Sequence, residues 1–457
     1  MAAGAIDWQR DAYAAFAQAR AAGVPLLLYW GAAWCPPCNR IKAVVFSRPD
    51  FIELAGSFVA LEIDGDGALA QRLAQQFKLR SYPTLVVFRP DGSEVTRLPC
   101  ELDGKRFVHI LQLALDARFT VTESLSVALS RERALSDDEW RLLSFYSWDT
   151  DERQLLKNLD FAAIVASLTR ACTLPDALVR LEWLGLHAAA MAGETGVDQA
   201  AAVKRLDATL GDQQAVCLQL DIVIGYALDL VRFLTAPGSA ARARLIASWS
   251  GALAGLEDDD TLNICDRLNA LRTRVRLTRL GAADPQLAAF ASERVAAVMA
   301  MTHPPALRHT IINTAAGVLS DAGLLDEAQQ LLEAELAQSH APYFFRHSLA
   351  AVARRRGEPA LALDHYEQAW AGAVGPATRL QWGATYLLAL LDLAPHDQSR
   401  IERCAAALAA DFAAVADAAS QRNRTQAARI VKALSAVDGA GEQATGLLTS
   451  LRALLSH

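Results

Sequence analysis

The sequence predicts two unlike parts, an α/β domain over residues 1–118 and an all-α helical-repeat array over the rest of the 457-residue chain. Three observations carry this. The first part alternates short apolar runs of strand length with stretches of helical periodicity. From about Glu123 onward strand signals vanish, and Ala- and Leu-rich helical periodicity is broken at Gly or Pro every 15 to 20 residues or so. Finally, Trp34-Cys35-Pro36-Pro37-Cys38 closes a continuous apolar run, and Pro83 follows 45 residues after Cys38.

Taken in order, Asp7 is expected to cap a helix carrying Trp8, Tyr13 and Phe16 that stops near Gly23. Val24 to Trp30 is unbroken apolar sequence, as a central strand buried on both faces requires. The cysteine pair then opens a helix toward Phe46, which Arg48-Pro49-Asp50 breaks, and a short helix covers Phe51 to Ala55. Phe58 to Ile63 is the next strand, followed by a helix from about Ala68 to Phe77. Thr84–Phe88 and Glu94–Leu98 flank Pro90-Asp91-Gly92, a turn signal that makes them a hairpin. A helix from about Lys105 to Asp116 completes the domain. Helical hairpins stacked into a solenoid are expected beyond it, in two parts, 119–300 and 301–457. Gly323, Ala328 and Leu332 recur 34 residues later as Gly357, Ala362 and Tyr366, followed by Ala369. That period resembles tetratricopeptide repeats; an ordinary Ala-rich helical array is the alternative.

Composition excludes several classes. A net charge of −7 argues against a nucleic-acid partner, since phosphate binding needs a basic surface. No apolar run approaches the 18 or so residues of a membrane helix. Residues Met1 to Asp11 show no basic stretch followed by an apolar run, so a cytoplasmic protein is expected, or a periplasmic one if a leader has been removed. Seven cysteines, five of them scattered singly, fit a reducing compartment better than a disulfide scaffold.

Two cysteines separated by two residues can close a small disulfide ring reversibly. A helix starting at Cys35 would aim its free N–H groups at that sulfur and favour thiolate. Pro36 and Pro37 suit a first helical turn, where a missing N–H costs nothing. Zinc is the rival reading of the spacing, but no second close cysteine pair supplies further ligands, and no metal is expected.

With the apolar strand before it, Leu61-Glu62-Ile63-Asp64, and Tyr82-Pro83-Thr84 ahead of a strand–turn–strand, this segment resembles the thioredoxin family over about a quarter of the chain. The resemblance implies a central mixed sheet flanked by helices. It implies Cys35 as the exposed nucleophile and Cys38 as the buried resolving thiol of a protein thiol–disulfide oxidoreductase. It also implies that Pro83 is cis, that the Tyr82 backbone pairs with an extended substrate segment, and that Trp34 shapes the substrate face. The Pro-Pro insert resembles reducing members such as tryparedoxins. Three positions depart from the family pattern. Tyr29 stands where thioredoxins often carry a buried Asp, with Glu62 and Asp64 one strand over as partial substitutes. Tyr82 is bulkier than the usual residue before the proline, and Asn39-Arg40 follows Cys38.

A protein disulfide is therefore the expected substrate, with electrons from an external thiol or reductase. No nicotinamide or flavin fingerprint is present, and no cofactor is expected. The helical array is expected to recruit a partner or the substrate. Two rivals remain: a redox-sensing adaptor whose cysteine pair only switches partner binding, and a holdase independent of both cysteines. Cys100 is read as a buried apolar residue before an extra exchange thiol. Cys172, Cys217, Cys265 and Cys404 are read as packing residues, as are the aromatics of the 140–148 stretch, with a contact docking the helical part or a partner groove as the alternatives. Asp64-Gly65-Asp66-Gly67 hints at a calcium loop, but Gln75 stands where the closing Glu should be.

Overall fold

The computed structural model describes residues 6–151, 154–156, 159–281, 284–437 and 441–456. Met1 to Ala5, on which part of the leader reading rests, and the terminal His457 lie outside them.

The first element is one the sequence reading missed. Trp8–Gln9 forms a short strand, β1, so the cap of the first helix is Asp11, whose carboxylate accepts from the Ala14 amide at 3.0 Å. That helix, α1 (Ala12–Ala22), ends at Gly23 in the left-handed conformation (φ 68°), which glycine adopts without steric cost. Strand β2 (Leu26–Gly31) is buried along its whole length, as its unbroken apolar sequence demands. Helix α2 (Pro36–Ile41) begins directly after Cys35 and continues as a π-helical turn, Lys42–Phe46. Helix α3 (Pro49–Leu54), β3 (Val59–Asp64), α4 (Ala70–Gln76), β4 (Thr84–Phe88), β5 (Glu94–Leu98) and α5 (Gly104–Leu115) follow.

The five strands form one sheet in the order β1-β3-β2-β4-β5. β1 runs parallel to β3, pairing Trp8 with Ala60, while β5 returns antiparallel to β4, pairing Leu85 with Leu98. The sheet is therefore mixed, as expected. Helix α5 is capped by Asp103, which accepts from the Arg106 amide, and buries Phe107, Ile110, Leu111 and Ala114, the spacing of a single helical face.

Beyond α5, every regular element among the described residues is helical. Punctuation by Pro and Gly places the helix ends. Helices Pro175–Ala192, Pro342–Arg356 and Pro376–Leu393 carry Pro in the first turn. Gly193, Gly323 and Gly357 sit in left-handed C-caps. The 34-residue offset thus corresponds to a real structural equivalence, with Gly323 and Gly357 both closing helices and Ala328 and Ala362 both buried. No helix among the described residues is long and apolar enough to cross a membrane.

The aromatic stretch at 140–148 is core. Trp140, Phe145, Tyr146 and Trp148 are buried, the Tyr146 hydroxyl donates to Asp151 at 2.6 Å, and the Ser147 amide donates to the Arg97 carbonyl at the end of β5. It is also the joint between sheet domain and helices, so both sequence alternatives hold.

The compact units do not follow the boundaries expected at 118 and 300. One contains residues 1–29, 39–61 and 85–324; the other contains residues 30–38, 62–84 and 325–457. The segments with the cysteine pair and Pro83 thus belong to the same unit as the C-terminal helices.

Candidate redox site

Strand β2 delivers the chain to Gly31, and the following turn is closed by the Cys35 amide donating to the Ala32 carbonyl at 3.2 Å. With α2 starting at Pro36, the Cys38 amide points back and donates to Cys35 Sγ at 3.3 Å. This is the amide-to-sulfur contact anticipated from the spacing. Both cysteines are free thiols. The Tyr82–Pro83 peptide is cis, as the resemblance implied, and Pro83 is buried. Pro36 is buried and Pro37 exposed.

The expectation of an exposed Cys35 is overturned. Cys35 is 3% exposed, Trp34 8% and Cys38 0%. The physical reason is a layer of side chains from the C-terminal helices. Trp34 Nε1 donates to Asp66 at 2.7 Å and to the Thr378 hydroxyl at 2.8 Å, and Thr378 itself donates to the second Asp66 oxygen at 2.6 Å. Phe344 stacks on the Trp34 ring at 5.9 Å between centroids, and Trp382 meets it edge-on at 5.7 Å. The Arg422 guanidinium lies over Tyr82 at 4.5 Å and over Trp34 at 5.4 Å. Trp34 and Tyr82, read as a substrate face, therefore face this chain's own helices.

Burial also reverses the expected thiol chemistry. Desolvation, reinforced by the neighbouring Cys38, pushes the Cys35 thiol well above its ordinary value; the Cys38 amide and the Arg422 charge pull the other way and lose. Asp66 is likewise raised by desolvation, against the hydrogen bonds from Thr378 and Trp34.

The substitutes proposed for the missing Asp do not reach the interior. Tyr29 is buried in β2, packed edge-on against Phe46 at 5.2 Å with the Lys42 ammonium 5.3 Å from its ring. Asp64 is exposed and Glu62 half-buried. Arg40, noted only as a departure, is a structural pin. It donates to both carboxylate oxygens of Asp266 at 2.8 and 2.7 Å and to the carbonyls of Cys100 and Leu102 at 3.1 and 3.2 Å. Cys100 is buried, with its thiol directed to the Leu98 carbonyl at 3.7 Å, as the packing reading held. Cys265 and Cys404 are buried too, whereas Cys172 and Cys217 are half-buried.

The sequence reading missed Asp66, Phe344, Thr378, Trp382 and Arg422. Only Asp66 had left a signal, in the Asp-Gly-Asp-Gly run set aside as a failed calcium loop.

A family model for a thioredoxin-like domain matches residues 12–115. That segment is a thioredoxin-like domain. Two curated relatives resemble it. The thiol:disulfide interchange protein DsbD of Pseudomonas fluorescens is 31% identical over 104 residues, 22% of this chain and 18% of that protein. DsbD 2 of Pseudomonas aeruginosa is 31% identical over 96 residues, 20% of this chain and 16% of that one. The chain thus spans less than a fifth of the length of these relatives. The solution structure of a thioredoxin from Thermus thermophilus aligns with 24% of this chain and 86% of its own at 25% identity, with a TM-score of 0.22. Within the thioredoxin-like domain, Cys35 and Cys38 form the Cys-x-x-Cys pair, and the domain is followed by the all-helical region.

Proposed function

We propose that the protein is a thiol–disulfide oxidoreductase that reduces protein disulfides through Cys35 and Cys38. The observation that carries this is the Cys38 amide donating to Cys35 Sγ, which supports the first sulfur as the one whose thiolate the α2 terminus favours. The interchange activity in the names of the two curated relatives supports the same chemistry. In the cycle, the Cys35 thiolate attacks one sulfur of a substrate disulfide, forming a mixed disulfide and expelling the other sulfur as thiolate. Cys38, giving up its proton, attacks Cys35 Sγ and releases the second substrate thiolate. Two electrons have then moved from the pair to the substrate, and the Cys35–Cys38 disulfide remains. An external thiol or reductase returns the electrons. Trp34, Pro36, Pro37, Tyr82 and Pro83 support the pair. Reduction as the working direction, in the cytoplasm, is supported by the scattered single cysteines. The helices of 119–300 and of 301–457, the latter read as tetratricopeptide-like, would recruit the partner.

The second reading, a redox-sensing adaptor, is favoured by one observation: the cysteine pair is buried under the very helices that would bind a partner. Redox titration in dithiothreitol or glutathione buffers, with thiols trapped and weighed, tests the proposal together with reduction of an insulin-type disulfide. A reversible couple near ~ −270 mV, the thioredoxin range, with turnover lost in Cys35→Ser is the expected result. A reversible couple without turnover, even after the helical layer has been loosened, favours the adaptor. The absence of any reversible couple overturns both readings.

A further inference from the structure

The surface through which Cys35 would meet a protein disulfide is taken by three helices from the far end of the chain. Pro342–Arg356 supplies Phe344, Pro376–Leu393 supplies Thr378 and Trp382, and Gln421–Leu434 supplies Arg422. They are anchored around the site as well as over it. The Gln71 amide of α4 donates to Asp417 at 2.9 Å, and the Arg422 amide donates back to Gln71 Oε1 at 3.1 Å. His340 Nε2 shares a hydrogen bond with the Ala33 carbonyl, two residues before Cys35, at 3.0 Å. Gly375, just ahead of Thr378, has φ of +90°, and an added Cβ would fall 2.5 Å from Asp66 Cβ. The helix carrying Thr378 thus enters as close to Asp66 as a glycine allows.

We infer that Phe344, Thr378, Trp382 and Arg422 are the specificity-determining gate of the redox pair. They hold Cys35 away from protein disulfides until the latch of Trp34, Asp66 and Thr378 opens. The geometry suits a gate. Disulfide exchange needs the attacking sulfur in line with both substrate sulfurs, and a protein loop bearing a disulfide cannot reach a thiol that is 3% exposed beneath packed rings. The core of the layer is a cyclic set of three hydrogen bonds and two ring contacts, and each of these is a modest interaction. When the layer lifts, water returns to Cys35 while the Cys38 amide remains in place, so uncovering exposes the thiol and favours its thiolate at once. The substrate being gated is that of the proposed function, and to that extent the inference rests on it.

Alkylation of the reduced full-length protein tests the gate without calling on turnover. A maleimide bearing a chain of about 5 kDa is used, with the label at Cys35 mapped by peptide mass. Cys35 in the folded wild type should react at least about a hundredfold more slowly than in urea. Thr378→Val removes two of the three latch hydrogen bonds and should raise the Cys35 rate about five- to a hundredfold, the equilibrium factor for two lost hydrogen bonds. Trp382→Ala should raise it further, and Arg422→Gln, less buried and less disruptive, serves as the second variant if either of these unfolds by circular dichroism. The gate is overturned if wild-type Cys35 labels as fast as in urea, or if folded variants label no faster than wild type. Faster labelling without any gain in insulin-type disulfide reduction would uphold the gate and count against the reductase reading; unchanged labelling alongside active reduction would do the reverse.

Discussion

Replacing Arg40 by Ala should be among the most destabilising single changes in the first compact unit. Arg40 is 6% exposed and Asp266 3%, and the guanidinium donates to both Asp266 oxygens and to the carbonyls of Cys100 and Leu102, with a longer contact to that of Glu101. Truncation leaves the Asp266 carboxylate buried, retaining only the Asn263 amide among its side-chain partners. Breaking a buried pair from one side costs about 3–5 kcal/mol. Orphaned carbonyls at Cys100 and Leu102 add up to about 1 kcal/mol each, so a loss of about 3–7 kcal/mol is expected. Arg40→Lys should recover less than half, because an ammonium lacks the planar fork that meets both oxygens. Removing both charges with Arg40→Met and Asp266→Leu should cost less than Arg40→Ala alone, since no charge is then stranded.

The assay is urea unfolding followed by far-ultraviolet circular dichroism, with the four corners of the Arg40/Asp266 cycle compared in the transition that reports the first unit. A loss below about 1 kcal/mol for Arg40→Ala, or additive effects of the two single changes, would refute the argument that the pair is desolvated and mutually dependent. Arg40 lies on α2 two residues after Cys38, so the same variant should also loosen the helix that presents the Cys38 amide to Cys35.

Three further outcomes are expected. Burial against Trp382 lowers His347 to about 4 from an ordinary 6.5, so the open chain takes up a proton that the fold refuses. Stability is therefore complete above pH 6.5 and falls as pH drops toward 4, by up to about 3 kcal/mol; denaturation at pH 8 and pH 4.5 should show a slope that His347→Phe flattens. The Glu139 carboxyl is held at about 2 by Arg133 and by the Ser136 cap, against an ordinary 4.5. Its contribution is present above pH 4.5 and lost as pH falls through 2, and because Arg133 is partly exposed Glu139→Gln should cost about 1–2 kcal/mol at pH 7 and almost nothing at pH 2 by the same assay. Gly65→Ala places a methyl against the Tyr82 ring, closer than van der Waals contact allows, and should cost about 1–3 kcal/mol in thermal unfolding, a cost that vanishes when Tyr82→Ala is added.

What the sequence discloses here depends on how far apart the cooperating residues lie. The strands β2 to β5 and helices α1 to α5 were legible because each rests on a pattern a few residues long, whereas the cis state of Pro83 came from the family resemblance alone. Periodicity, a proline break and a turn dipeptide are all local signals. β1 was lost because two residues carry no period, and with it went the correct cap, Asp11 in place of Asp7. The Cys38-to-Cys35 amide contact was readable from spacing alone. The layer over it was not: Thr378 and Asp66 meet across 312 positions, and Arg40 and Asp266 across 226. Thr378 and Phe344 look like ordinary positions in an Ala-rich helical array. Asp66 was noticed, but its charge and glycine neighbours suggested a cation, because the sequence does not say that an indole N–H and a hydroxyl would be its partners.

The two influences on Cys35 can be ranked from this. A helix terminus changes a nearby charge by only about 0.3–1 kcal/mol at an accessible site, whereas desolvation acts on the Cys35 thiol more strongly than the Cys38 amide does. Sequence spacing reports only the smaller influence, and on that basis Cys35 reads as an activated thiol. The buried geometry adds the larger one with the opposite sign: Phe344, Thr378 and Trp382 close over Trp34 beside Cys35, and neighbouring Cys38 adds to the rise, while the Arg422 charge opposes it. Under the proposed gate, the thioredoxin-like segment supplies the sulfur and the amide that donates to it, and the C-terminal helices control the access of water and of a substrate sulfur.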